Sequence, residues 1–351
     1  MRQTKKQVSR MIGNPAPLGT PEPAPAETNP AAISQEWARV REIALRRLER
    51  FISLEPKVLR GDDLEAIHDL RVASRRLQQV LDLLYPETQD KEVRRLRRRI
   101  RLSRRALGEV RNCDVLLGLV DRSLQRKSLA RREAWSALER YLSERRLKSF
   151  GKAVRKLSKL NLGGLYVRLR ELFSPEGSGH HLRGPSVIAF PDKSDSEPVR
   201  TRLARSLERV WEPFERLVNA ARSDSSATTL HAARIAAKRL RYLIEVVHDI
   251  GLADGSQALA WLRRFQQHLG DWHDLEVLEQ MMVKMVARPA FLRHNLELVM
   301  QVARLILRVR ARKKRFELKV LEMTGETEDW KRLEQWVVHL MASPPEIFAR
   351  G

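Results

Sequence analysis

The 351-residue sequence contains little of what would define several common protein classes. Its one cysteine, Cys113, excludes an intrachain disulfide and fits a reducing compartment. No uncharged apolar run approaches 18 residues, so the sequence predicts no membrane-spanning helix. No apolar stretch of 7–15 residues follows the basic N-terminus, so we expect no signal peptide and a cytoplasmic location. The sustained alternation typical of strands is also missing, which favours an all-α protein.

What the sequence does contain is a large excess of positive charge. Lys and Arg total 67 against 44 Asp and Glu, a net charge of +23, whereas aromatic residues make up only 6%. Hydrophobic residues reach 42%, enough to exclude wholesale disorder. Such a charge balance predicts a polyanionic partner.

Two stretches about 160 residues apart repeat the same pattern. Residues 68–77 read HDLRVASRRL and residues 231–240 read HAARIAAKRL, so that both fit H-x-x-R-[VI]-A-x-[RK]-R-L. Each is followed about 40 residues later by a second shared segment, LGEVRNCD at 107–114 and LGDWHDLE at 269–276. The chain is therefore an internal duplication, and each copy shows which positions of the other were kept.

The composition divides the chain into two helical halves. Helical periodicity with four or so amphipathic helices per half predicts two antiparallel helical bundles. Proline-rich stretches predict a tail before the first half and a linker between the halves. The predicted units are a disordered Pro/Ala-rich tail (1–33), the first bundle (34–173), a linker (174–198), the second bundle (199–341) and a C-terminal tail (342–351).

Capping residues suggest where the helices begin and end. The first motif helix is predicted to open at Asp62, with a glutamate three residues on in a capping-box arrangement. Gly108 and Gly270 are interpreted as helix stops, with Asn112 or Asp114 available to cap the next helix. On this interpretation the second shared segment is structural.

The basic residues of the motif form one stripe. At about 100° per residue, His68, Arg71 and Arg75 lie on one side of their helix. Leucines and alanines of the same helix cluster on the opposite side, and the second copy repeats the arrangement. The stripe therefore points away from its own bundle's core, toward solvent or toward the other half. A solvated charged surface is the simpler alternative for any one of these residues, but their retention in both copies favours binding.

Other basic positions also survive the duplication. If the two bundles pack about a pseudo-two-fold axis, equivalent stripes would face each other across a shared groove or pore. A ligand with regularly spaced negative charge suits that geometry. These retained pairs are Arg39 with Arg202, Arg46 with Arg209, and Arg101 with Arg263.

From about residue 34 to 341 the chain resembles the CHAD family, named for its histidine-containing α-helical domain. The resemblance rests on the two H-x-x-R-x-x-x-[RK]-R-L helices and the two L-G-[ED]-x-x-[ND] segments. It implies two four-helix bundles related by pseudo-two-fold symmetry around a basic cavity, and non-catalytic binding of inorganic polyphosphate, often at polyphosphate granules. Lysine replaces arginine once in the second copy, which keeps the charge but loses the bidentate fork. The implied binding set is His68, Arg71, Arg75, Arg76, His231, Arg234, Lys238 and Arg239.

Two other functions stay open. A nucleic-acid-binding protein would also explain the charge through backbone contacts, although no recognisable motif and no aromatic interleaving supports it. The dipeptides at 68–69, 248–249 and 273–274, all His-Asp, resemble those of metal-dependent phosphohydrolases. The duplication argues against that enzyme, because Ala232 replaces Asp69 and Arg111 stands in place of His273. His180 and His181 alone are too few for a metal site, and the E-x-E-x-K signature of a fused triphosphatase domain is missing. We expect no enzyme activity, no cofactor and no metal.

Overall fold

The computed structural model describes residues 30–61, 63–86, 90–125, 131–174, 197–325 and 327–342. Within these ranges the chain forms helices and no strand, which confirms the all-α prediction. None of the helices there is long and apolar enough to cross a membrane. The helices are α1 (Pro30–Ser53), α2 (Glu55–Arg60), α3 (Leu64–Leu84), α4 (Lys91–Ala106), α5 (Gly108–Leu124), α6 (Arg132–Leu160), α7 (Leu162–Phe173), α8 (Val199–Ser223), α9 (Ala227–Ile250), α10 (Ser256–Val286), α11 (Pro289–His294), α12 (Leu296–Thr324) and α13 (Glu328–Ala342).

The order of helices repeats along the chain. Shifting α1, α3, α6 and α7 by about 163 residues places them on α8, α9, α12 and α13, while α4 and α5 together correspond to the single helix α10. The short helices α2 and α11 fall outside this correspondence. Most of the predicted linker, 175–196, and the tails 1–29 and 343–351 lie outside the described residues. The predicted end of the N-terminal tail at 33 is wrong by a few residues, because α1 already begins at Pro30.

Both motif helices begin at side-chain caps. The Asp63 carboxylate accepts hydrogen bonds from the backbone N–H groups of Glu65 and Ala66, so α3 begins one residue after it. The prediction that this helix opens with Asp62 as its cap is therefore wrong, and Asp62 itself lies outside the described residues. In the second copy Ser226 caps α9 through the backbone N–H of Thr229.

The two glycines of the second shared segment do not end helices as predicted. Gly108 is the first residue of α5, after a turn at Leu107, and Gly270 lies in the middle of the continuous helix α10. Asn112 and Asp114 are inside α5 rather than at its cap. A glycine inside a helix costs only about 1 kcal/mol relative to alanine, which neighbouring contacts readily offset.

The buried core is shared between the halves. One large cluster joins α1, α3 and α4 to α8, α9 and α10, and contains packed rings of Trp211, Trp261 and Trp330. A second cluster is built from two helices of each half, α5 and α6 with α10 and α12. Residues such as Leu116 and Leu138 pack there with Met282. Division into two separate bundles stays a prediction, since the apolar side chains of each half are buried against the other.

Candidate basic binding site

The two motif helices pack against each other at the centre of the molecule. In α3 the predicted apolar face, from Leu70 to Leu84, is buried, and in α9 the equivalent face from Leu230 to Val247 is buried as well. Burial of these faces fixes the rotation of both helices. As a result their basic stripes approach each other where α3 contacts α9.

Five cationic side chains form a central cluster: Arg71 and Arg75 of α3, Arg104 of α4, and Arg234 and Lys238 of α9. Partial burial, together with the neighbouring arginines, lowers the pKa of Arg71 and of Arg104 from 12.5 to about 10. Among the described residues, none of the five forms an ion pair with a carboxylate. The cluster thus concentrates positive charge from both copies without an internal counter-ion in contact.

Lys238 shows the strength of this field. Burial lowers its pKa well below 10.5, and the charges of Arg234, Arg75 and Arg71 lower it further. The Nε atom of Arg234 is buried and has no hydrogen-bond partner within the described structure. Groups held in this way gain more from an incoming anion than exposed lysines and arginines do, because their desolvation is already complete.

Arg71 is positioned by the end of α4. Its Nη1 donates a hydrogen bond to the backbone oxygen of Arg104 at 2.6 Å, in the last turn of that helix. A Cβ atom at Gly108 would lie 3.4 Å from the same Nη1, so the glycine leaves room for the guanidinium. Gly270, its counterpart, has nothing within 4 Å of such an atom. The first glycine therefore has a positioning role that the second lacks.

The histidines lie at the edge of the cluster and are held neutral. Burial first, then nearby basic groups, lowers the pKa of both His68 and His231 below 6.5. The ring of His231 lies 5.2 Å from that of His273, whose pKa falls to about 3 for the same reasons. Beside them burial raises the pKa of Asp274 to about 6, although Arg234 opposes the shift.

A cavity of about 700 Å³ opens beside the cluster. It lies between α3, α4, α8 and α9, and we call it the α4 cavity. Arg75 and Lys238 line it on the cluster side, and Tyr242 is its only aromatic lining residue. The other charged residues lining it are Asp82, Arg97, Arg101, Arg104, Arg105, Arg209 and Arg239.

A second cavity of about 540 Å³ lies between α1, α3, α9 and α10, and we call it the α10 cavity. Its arginines are largely paired with carboxylates. Arg76 donates from Nε and Nη2 to the two oxygens of Glu245, at 2.8 and 3.2 Å. Other ion pairs join Arg47 to Asp249 at 2.9 Å and Arg50 to Asp69 at 2.6 Å.

The predicted site residues divide into three groups. Arg71, Arg75, Arg234 and Lys238 come together in the cluster, with His68 and His231 at its edge. One outer set lines the two cavities: Arg101, Arg209 and Arg239 in the α4 cavity, and Arg46, Arg76 and Arg263 in the α10 cavity.

Arg39 and Arg202 are not part of this arrangement. Arg39 is exposed and lines neither cavity. Arg202 is buried, pairs with Glu197 at 3.1 Å, and lies 4.7 Å from the ring of Trp37, which is a structural role.

Sequence reasoning missed several members of the site. Arg97, Arg104 and Arg105 were hidden in an arginine-rich helix, KEVRRLRRRIRLSRRA, where only the face toward the cavity is informative. A count of basic residues along that helix face would have found them. His273 and Asp274 were considered only as a metal motif, yet they lie beside Arg234.

The described residues contain no group of three or more His, Cys, Asp or Glu that could hold a metal ion. Two of the three His-Asp dipeptides have their carboxylates in ion pairs with arginine, through Asp69 and Asp249. The third lies beside Arg234 and Lys238. His180 and His181 lie outside the described residues.

Comparison with known proteins gives one family and two solved structures. The family model described as the CHAD domain matches residues 42–283. The crystal structure of the CHAD domain from the plant Ricinus communis is 21% identical, with a TM-score of 0.56 over 85% of this chain and 93% of that chain. PptA from Streptomyces chartreusis is 16% identical, with a TM-score of 0.54 over 86% and 99% of the two chains. These structures support the shared fold, and no curated protein sequence matches.

Proposed function

Because the chain belongs to the CHAD domain family, we propose that it binds inorganic polyphosphate without altering it. The central cluster and the α4 cavity would hold the ligand. Polyphosphate is a flexible chain of phosphoryl groups with regular negative charge and no bases. Its recognition needs many charge-assisted hydrogen bonds, for which arginine is well suited.

One observation carries this proposal: five cations from both copies lie together without a carboxylate in contact among the described residues. Their lowered pKa values mean that the empty site stores unfavourable electrostatic energy. A bound polyanion would relieve it. Neutral or singly charged ligands would relieve much less, which supports a ligand of high charge density.

Nucleic acid is the second candidate, since its backbone could also neutralise the cluster. Against it, the large aromatic rings Trp211, Trp261 and Trp330 are packed in the core, so the α4 cavity offers no row of stacking surfaces. Competition of long-chain polyphosphate against duplex DNA and tRNA at fixed salt tests the choice. Preference for polyphosphate is expected, and equal or stronger binding of nucleic acid would overturn the proposal.

The motif itself is tested by paired substitutions in each copy. Arg71→Ala/Arg75→Ala and Arg234→Ala/Lys238→Ala should each weaken polyphosphate binding by at least about tenfold, because each removes two charge-assisted contacts. The salt dependence should also flatten, by analogy with proteins that contact nucleic-acid backbones.

A matched control removes the same number of charges from exposed positions on α6, through Arg132→Ala/Arg140→Ala. These residues lie outside the cluster and outside both cavities. If the control weakens binding as much as the motif variants do, diffuse charge alone accounts for it. The motif would then be an ordinary solvated surface.

A metal-dependent phosphohydrolase stands third. Release of phosphate from polyphosphate, with and without added divalent cations, tests it directly. We expect none, because the ion pairs of Asp69 and Asp249 occupy the carboxylates that would hold the metals. In the cell we propose a cytoplasmic location at polyphosphate granules, which imaging of the tagged protein against a polyphosphate stain would test.

A further inference from the structure

The α4 and α10 cavities are copies of one another. Lining positions correspond at a constant offset: Val72 with Ile235 and Arg76 with Arg239 at 163, and Arg101 with Arg263 at 162. The same offsets relate five or more further lining pairs, and the helices around the cavities exchange as α1 with α8, α3 with α9 and α4 with α10. Duplication therefore produced two potential anion sites, one on each side of the α3–α9 contact.

Their charges have diverged. The α4 cavity is lined by eight basic residues and one acidic residue, whereas the α10 cavity is lined by five basic and three acidic residues. Where α4 presents Arg97, Arg104 and Arg105, the equivalent positions of α10 are Leu259, Gln266 and Gln267. In addition, Asp249 takes the place of Pro86.

The remaining carboxylates of the α10 cavity lie where anionic ligand groups would be needed. Each is in contact with an arginine of the same cavity, through the pairs Arg47–Asp249, Arg50–Asp69 and Arg76–Glu245. Two of these pairs join α1 or α3 of the first half to α9 of the second. Arg241 also approaches Glu245, at 3.5 Å.

From this divergence we propose that the protein binds its polyanion on one side only. The α4 cavity and the central cluster take the linear phosphate chain. The α10 cavity is a closed copy, in which the protein's own carboxylates replace the ligand and hold the two halves together. This inference rests on the proposed function, because it assigns the side on which that ligand binds.

Symmetry-matched pairs of substitutions test the proposal in the full chain. Arg101→Ala/Arg209→Ala removes two exposed charges from the α4 cavity, and Arg46→Ala/Arg263→Ala removes the equivalent two from the α10 cavity. Affinity for long-chain inorganic polyphosphate is measured by titration at one salt concentration. Thermal denaturation checks that each variant folds.

We expect at least tenfold weaker binding for the α4-cavity pair and less than twofold change for the α10-cavity pair. Similar losses in both variants, or a larger loss in the α10-cavity pair, would overturn one-sided binding. A wild-type protein that fails to bind polyphosphate, or that prefers nucleic acid, would instead overturn the proposed function, so the two failures are distinguishable.

Discussion

The buried carboxylate of Glu245 gives a sharp test of the ion pairs between the halves. Its side chain is 9% exposed and accepts two hydrogen bonds from Arg76, whose own side chain is 45% exposed. We expect Glu245→Gln to destabilise the protein, because glutamine keeps the shape but leaves two guanidinium groups without a counter-charge.

The size of the effect follows from burial. Removing one partner of a fully buried pair costs about 3–5 kcal/mol, and the exposure of Arg76 reduces this through solvent screening. A loss of about 2 kcal/mol is expected. With an unfolding entropy of about 2 cal/mol/K per residue over roughly 300 ordered residues, the melting temperature should fall by about 3 °C.

The assay is denaturant unfolding of Glu245→Gln, Arg76→Met and the double variant. Because the two residues act together, the double variant should cost at least about 1 kcal/mol less than the sum of the single variants. Asp82→Asn is the matched control, since Asp82 is the equivalent position of the α4 cavity and is 41% exposed in its pair with Arg97. Additive effects, or a Glu245→Gln change below about 0.5 kcal/mol, would refute the reasoning.

Three other predictions concern the central cluster. Lys238→Met should weaken polyphosphate binding yet raise the melting temperature of the free protein, as measured by thermal denaturation, because it removes a cation buried among arginines. Polyphosphate affinity should rise as pH falls from 8 toward 5, since ligand favours protonated His231, whose pKa is lowered below 6.5, and protonated Asp274, whose pKa is about 6; Asp274→Asn should flatten this titration, and an unchanged pH profile would contradict the role of Asp274. Gly270→Ala should stabilise the protein by about 0.5–1 kcal/mol in denaturant unfolding without changing affinity, because a helical glycine with open space around it gains from a Cβ.

Sequence periodicity was sufficient for the helices and for the direction of the motif stripes. The apolar face of α3, from Leu70 to Leu84, is buried as its spacing predicts, because a helix must bury that face. Local signals failed at Gly270, where favourable packing on both sides keeps α10 continuous. Propensity at a single residue is weak against such contacts.

The outer part of the site depended on information that one helix cannot carry. Duplication identified Arg76 and Arg239 as equivalents, but it could not reveal that Glu245 pairs with the first and not with the second. Likewise Arg202 was retained with Arg39 in sequence, although it is buried against Trp37. These outcomes depend on which residues from distant helices meet in space.

The second core cluster bears on how the duplicated chain arose. Half of its buried side chains come from α5 and α6 and the rest from α10 and α12. A single repeat expressed alone would expose its share of that surface to water, so it would be stable only by pairing with a second copy of itself. The present chain thus corresponds to a covalently joined homodimer, and fusion of the two subunits freed each side of the former symmetric assembly to evolve separately.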